Sequence, residues 1–271
     1  MNLPREEAKA RRIAVQKNIS LRLCGFAGNF YPSLISCLRN NILFLFLFFS
    51  ISGSAQIQKL MKPADKKFAA HKFQAAMEDY TIVIKKYPEY AESYARRALC
   101  KFKLTDQVGA LEDINKAISL DPKFFTAYSI RGQFHEAFRY FDSAVADFTK
   151  CIELQPNNQL PYYTRGKANI EAGFFDDAIK DFDQALKLNP DFAEASYQKG
   201  IALMRNKSYA DAKKIFDDYL KQYPSNYVAM FMRGICKDKT GDAFGACRDW
   251  MKASNKGYKE AEALLKIKKC K

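Results

Sequence analysis

Two patterns of apolar residues divide the chain. Ile42 to Ile51, ILFLFLFFSI, is an almost unbroken Leu/Phe run, preceded by Arg39-Asn40-Asn41 and followed by Ser52-Gly53-Ser54-Ala55-Gln56. From residue 57 onward the pattern changes to a long period. Pro88, Pro122, Pro156, Pro190 and Pro224 stand 34 residues apart and close the segments KKYP, SLDP, ELQP, KLNP and KQYP. In units of that length, Ala98, Gly132, Gly166, Gly200 and Gly234 occupy the eighth position. Ala76, Ala110, Ala144, Ala178, Ala212 and Ala246 occupy the twentieth, and Tyr80, Ile114, Phe148, Phe182, Phe216 and Trp250 the twenty-fourth. Small residues let two backbones approach, and a large one fills the space above them. The pattern predicts a stack of repeated helix pairs.

A period of 34 with proline after the second helix, together with these fixed small and bulky positions, resembles the tetratricopeptide repeat (TPR) family. The resemblance covers 57–260. It implies an all-α fold, a right-handed α-solenoid of six helix pairs: 57–90, 91–124, 125–158, 159–192, 193–226 and 227–260. The first unit carries Pro63 inside its first helix, so that helix is expected to start at Pro63 or just after it. The sixth ends in Asn255-Lys256-Gly257 in place of the proline. Tyr258 to Lys269 then places Ala261, Leu264, Leu265 and Ile267 on one side and charges on the other, which predicts a capping helix within 258–271. The stretch GDAFGACRDWMKASNKGYKEAEALL is similar to the closing segment of exported TPR proteins of Gram-negative bacteria.

The run at 42–51 fits that resemblance. A basic residue, an apolar core of about ten residues and small residues at −3 and −1 lay out a secretory signal peptide over 38–55, cleaved after Ala55. Ten to twelve helical residues at ~1.5 Å each fall short of a ~30 Å hydrocarbon core, so an uncleaved anchor through 42–51 is the alternative. Residues 1–37 show no sustained period and read as a doubtful N-terminal extension. The expected location is periplasmic or extracellular.

The whole chain of 271 residues has 44 basic and 30 acidic residues, a net +14 that keeps nucleic acid open as a partner. Residues 1–55 hold seven basic and two acidic residues, leaving 37 against 28, a net +9. Its one dense cluster is Lys266, Lys268, Lys269 and Lys271. An exported chain makes an anionic envelope surface the better target for those lysines and puts nucleic acid last.

Position seven of the units carries Arg97, Arg131, Arg165, Lys199 and Arg233. Sixteen residues later stand Asp113, Asp147, Asp181, Ile215 and Asp249. Read as a ladder, the arginines would bind anions. The better reading is a structural ion pair inside each unit: Arg97 with Asp113, Arg131 with Asp147, Arg165 with Asp181, and Arg233 with Asp249. A variant, pairing between units, draws on Asp79, whose own unit has no Arg.

Enzyme chemistry lacks its materials. There is no Gly-rich phosphate loop, HExxH, GxSxG or CxxC, and the two histidines, His71 and His135, read as structural. No catalytic residue, cofactor or metal is assigned. The acidic pairs Asp176-Asp177 and Asp217-Asp218 read as solvated helix surface.

Binding is the function the resemblance implies, with a peptide or protein segment lying in the groove lined by the first helices. Family positions two, five, nine, twelve and thirteen place Leu99 and Phe102 there, then Leu160, Tyr163, Lys167 and Ile170. Tyr197, Ile201, Met204, Arg205, Phe231 and Ile235 continue the line. Tyr163, Tyr197 and Phe231 form an aromatic row at position five, either as binding anchors or as packing between helices. The Lys and Asn of a terminal-carboxylate clamp are missing at positions five and nine. An envelope scaffold using the same groove is the alternative function.

After residue 55 the cysteines are Cys100, Cys151, Cys236, Cys247 and Cys270. From the residues alone, Cys247–Cys270 and Cys236–Cys247 both remain open as bridges. The exported relatives, which tend to carry cysteines at similar places in their closing segments, imply Cys247–Cys270.

Overall fold

The computed structural model describes residues 55–270. The extension 1–37, the apolar run 42–51 and nearly all of the export segment lie outside the described residues.

Residues 55–69 are helical, and twelve further helices follow. They are α1 (Phe73–Lys86), α2 (Ala91–Lys103), α3 (Gln107–Leu120), α4 (Phe125–Ala137), α5 (Phe141–Leu154), α6 (Gln159–Ala172), α7 (Phe175–Leu188), α8 (Ala193–Arg205), α9 (Tyr209–Gln222), α10 (Tyr227–Lys239), α11 (Ala243–Ser254) and α12 (Lys259–Ile267). No strand occurs among the described residues, and no helix there is long and apolar enough to cross a membrane. Each helix packs on the next, so the chain is an α-solenoid of helix pairs.

Local rules set the boundaries. α1, α3, α5, α7 and α9 each stop two residues before their proline, whose ring disfavours helical backbone in the residue ahead of it. The sixth unit has no such proline; Gly257, with φ 85°, turns the chain there into α12. Asp106, Asn158, Asn226 and Asp242 open their helices by accepting hydrogen bonds from the backbone N–H groups of Gly109, Leu160, Ala229 and Gly245. Inside every unit the turn between the two helices uses one left-handed residue at position fifteen: His71, Thr105, Arg139, Gly173, Lys207 and Gly241. Only two of the six are glycine, so four turns hold a side chain in backbone that L-residues avoid.

The core follows the eighth and twenty-fourth positions. A methyl group added at Gly132, Gly166, Gly200 or Gly234 would lie 2.5–2.8 Å from Phe148, Phe182, Phe216 or Trp250 of the same unit. In the second unit the pair is Ala98 with Ile114, both fully buried: the smaller partner leaves room for the methyl. Trp250 also donates its indole N–H to the Phe231 carbonyl at 3.3 Å.

Two expectations need correction. Pro63 lies inside the helix over 55–69 rather than at its start. The burial of Met61 and Ala64 on either side outweighs the one hydrogen bond a proline forgoes. In α12, Ala261, Leu264 and Leu265 pack against the sixth unit, but Ile267 is exposed. Six residues past Ala261 at about 100° each is roughly 240° away from the buried stripe.

Cys247 and Cys270 form a disulfide, with Cα atoms 5.6 Å apart, that ties the end of the cap to α11. Lys268 adds an ion pair to Asp238 at 2.7 Å. Cys100, Cys151 and Cys236 are free and buried, and burial pushes their thiols up to about 11, 12 and 12. They are poor nucleophiles at neutral pH.

Candidate functional site

The charged residues at position seven sit between the helices of their units. Arg97, Arg131, Arg165 and Arg233 each grip the aspartate sixteen residues on, Asp113, Asp147, Asp181 and Asp249, with Nε and Nη2 at 2.6–3.2 Å. The remaining nitrogen, Nη1, reaches back sixteen residues into the preceding unit. Its acceptors there are Thr81, Asn115, Thr149 and Asp217 at 2.7–3.2 Å. One guanidinium therefore closes its own helix pair and stitches it to the pair before. With all three nitrogens of each guanidinium already engaged, these arginines offer little to an outside anion.

Position eleven is a partner the sequence reading missed. Lys101, His135, Asn169 and Lys237 bring a nitrogen to the same aspartates at 2.8–3.0 Å. Lys67 does this for Asp79 at 2.7 Å, so Asp79 finds its cation inside its own unit, not in a neighbouring one. The fifth unit drops the arrangement as a set. There Ile215 replaces the aspartate and Leu203 the position-eleven donor, while Lys199 turns back to Asp183 of the fourth unit at 2.6 Å. The column Lys67, Lys101, His135, Asn169, Leu203, Lys237 carries that rule in the sequence: a nitrogen-bearing polar side chain wherever the aspartate exists.

These settings separate two carboxyls. Burial raises Asp249, but hydrogen bonds from Arg233 and Lys237 overrule it and hold the carboxyl below the usual aspartate range. For Asp181 burial wins over Arg165 and the neutral Asn169, and its pKa is raised. A depressed carboxyl contributes stability above its unfolded value near ~3.9 that is lost as pH falls through the folded one; a raised carboxyl carries a penalty relieved as pH falls. Carbon-detected NMR titration is expected to show Asp181 protonating before Asp249 as pH falls. Coincident titration would contradict the assignment.

The residues expected in the groove divide by environment. Phe231, 8% exposed, packs against Tyr258 with ring centroids 4.9 Å apart, and Ile170 is buried. Neither offers a ligand much area. Phe102 stacks on Phe134 at 4.5 Å and so joins units two and three; Leu99 lies in the same cluster. Tyr163 leans on Phe192 and Phe182, and Tyr197 on Tyr219 and Phe216, each half-buried. Ile201 and Met204 pack around them, and Ile235 does the same beside Trp250. Burial raises the phenol pKa of both tyrosines. Leu160 and Arg205 are openly exposed, and Lys167 is partly so.

Two of these candidates, Lys167 and Ile170, line one cleft. The first helices α4 and α6 of units three and four flank one opening. This cleft of about 410 Å³ is lined by Glu136, Arg139, Lys167, Ile170, Glu171 and Gln198. Lys167 bridges it by an ion pair to Glu136 at 3.0 Å, with its Nζ 6.0 Å from the centre of the Tyr163 ring. Among the described residues no group of three His, Cys, Asp or Glu is placed to hold a metal.

Two family models described as tetratricopeptide repeat match residues 125–158 and 163–227. Both stretches are tetratricopeptide repeats. No curated protein matches this TPR chain. Among solved structures, YrrB, described as a TPR protein with an unusual peptide-binding site, is 23% identical. It aligns over 65% of this chain and 91% of its own with a TM-score of 0.58. A TPR protein of Parabacteroides merdae is 17% identical over 78% and 98% of the two chains, TM-score 0.61. PilF of Pseudomonas aeruginosa is 14% identical over 76% and 96%, TM-score 0.63. At these identities the likeness is one of fold. TPR arrays are protein–protein interaction modules, generally scaffolds without chemistry of their own, and this chain shares their architecture.

Proposed function

We propose that this TPR protein binds a peptide or protein segment along its first helices, centred on the cleft between units three, four and five, and that it performs no chemistry itself. The observation that carries the reading is the cleft between α4 and α6, where Lys167 and Ile170 meet Glu136, Arg139 and Gln198. Leu160 and Arg205 extend the surface on either side, with Tyr163, Tyr197, Ile201 and Met204 as its half-buried floor. Phe231 and Ile170 serve chiefly as packing. The groove is mixed in polarity, which suits a segment with apolar anchors flanked by charge.

The Cys247–Cys270 bond supports an oxidising compartment, and so an exported chain. The lysines at the end are partly committed within the chain, Lys268 to Asp238 and Lys266 to Glu262, which leaves less charge for an envelope surface.

Leu160 is 52% exposed and Arg205 is exposed, so the double change Leu160→Asp with Arg205→Glu leaves the core intact. It is expected to abolish capture of the native partner in cell-envelope crosslinking while the melting temperature stays within a few degrees. Undiminished capture would move the binding surface elsewhere on the solenoid.

A further inference from the structure

We propose that the cleft between α4 and α6 takes an acidic side chain, aspartate or glutamate, of the bound segment, and that Arg139 is the group that meets its carboxylate. The inference rests on the groove reading and gives it a ligand chemistry.

Eight arginines lie between residues 55 and 270, and Arg96, Arg97, Arg131, Arg165 and Arg233 each have a carboxylate within 4 Å. Arg139 has none among the described residues. Its guanidinium lies over the Phe141 ring, 5.3 Å from the centroid, at the wall of the cleft. Stacking on a ring orients the planar fork while leaving its edge donors free, the geometry a carboxylate needs for two parallel hydrogen bonds. The other cation in the cleft, Lys167, is already neutralised by Glu136. The cleft thus presents one uncommitted cation.

Arg139 occupies the left-handed turn position, with φ 63°, which Gly173 and Gly241 fill in the fourth and sixth units. Among the described residues nothing in the third unit's packing uses the guanidinium beyond the Phe141 ring.

The occupant is a peptide rather than a nucleic acid because the same cleft carries Glu136 and Glu171, with Glu171 exposed and unpaired by any cation among the described residues. A continuous phosphate backbone would be repelled there. A single carboxylate on a neutral backbone meets Arg139 and leaves Glu171 and Gln198 to backbone N–H groups. A volume of about 410 Å³ holds one or two side chains, not a polymer.

The test uses three fluorescein-labelled probes of the whole protein: an alanine–glycine peptide with one central glutamate, the same peptide with glutamine there, and oligouridylate. Binding is read by fluorescence anisotropy at two salt concentrations. The glutamate peptide is expected to bind more tightly than the glutamine peptide. Arg139→Gly, which copies the natural turn residue of units four and six, is expected to weaken the glutamate peptide about tenfold, the loss of one charge-assisted hydrogen-bond pair. Its melting temperature is expected to stay level or rise, which separates lost recognition from lost folding. Unchanged affinity of the glutamate peptide in Arg139→Gly overturns the proposal. So does tighter binding of oligouridylate with equal sensitivity to that change. A photocrosslinker at Leu160 distinguishes this from the broader reading. A captured partner segment without acidic residues sinks the Arg139 assignment and leaves the groove; no capture, with the glutamate peptide still dependent on Arg139, sinks the groove.

Discussion

Asp249→Ala is expected to destabilise the sixth unit by about 3–5 kcal/mol, the cost of stranding buried charge. Asp249 is 2% exposed at its side chain and takes hydrogen bonds from Arg233 and Lys237, whose side chains are 19% and 11% exposed. Removing the carboxylate leaves two cations facing each other in a space with little water. The fifth unit shows how the same position is made without charge. Copying it, with Asp249→Ile, Lys237→Leu and Arg233→Lys together, is expected to recover most of the loss. The ammonium introduced at position 233 then has Asp217 of the preceding unit as its partner, as Lys199 has Asp183. Denaturant unfolding of the three singles and the triple measures this. If the triple is as unstable as Asp249→Ala alone, the unit-five arrangement is not transferable and the three positions are not coupled.

The second large effect changes sign with its neighbour. Gly166→Ala is expected to cost about 1–3 kcal/mol, because its methyl would sit 2.8 Å from the Phe182 ring and the packed helices cannot part freely. With Phe182→Ile already in place, the same substitution is expected to stabilise by up to about 1 kcal/mol, the ordinary advantage of alanine over glycine inside a helix. The combination reproduces Ala98 with Ile114. A double-mutant cycle reads the reversal directly; equal effects in both backgrounds would show that the close approach does not set the identity of position eight.

The fold was legible because its determinants are local and repeated. Five equally spaced prolines, the small residues at positions eight and twenty and the bulky ones at twenty-four all report one backbone crossing, and each unit restates it. What escaped notice has a different origin. The donors at position eleven vary in type, from lysine to histidine to asparagine, so the column reads as noise until Asp113, Asp147, Asp181 and Asp249 show what they share. The left-handed turns are announced by glycine only at Gly173 and Gly241; His71, Thr105, Arg139 and Lys207 adopt the same backbone because the tertiary contacts on both sides demand it. In the groove, family positions located Lys167, Leu160 and Arg205 on accessible surface. They did not distinguish Phe231 from them, since an aromatic at position five is exposed or covered according to what the next helix places above it, here Tyr258.

The fifth unit carries a mechanical consequence. In units two, three, four and six the two helices are held by a two-point fork whose hydrogen bonds resist sliding and tilting. Between α8 and α9 the contact is Leu203 against Ile215 and their neighbours, which resists separation but has no preferred angle. Among units two to six, stiffness is therefore expected to vary, with the most compliant joint the one bearing Tyr197, Ile201 and Met204. On the proposed groove reading, that stretch is expected to change its width for ligands of different girth while the neighbouring units keep their shape.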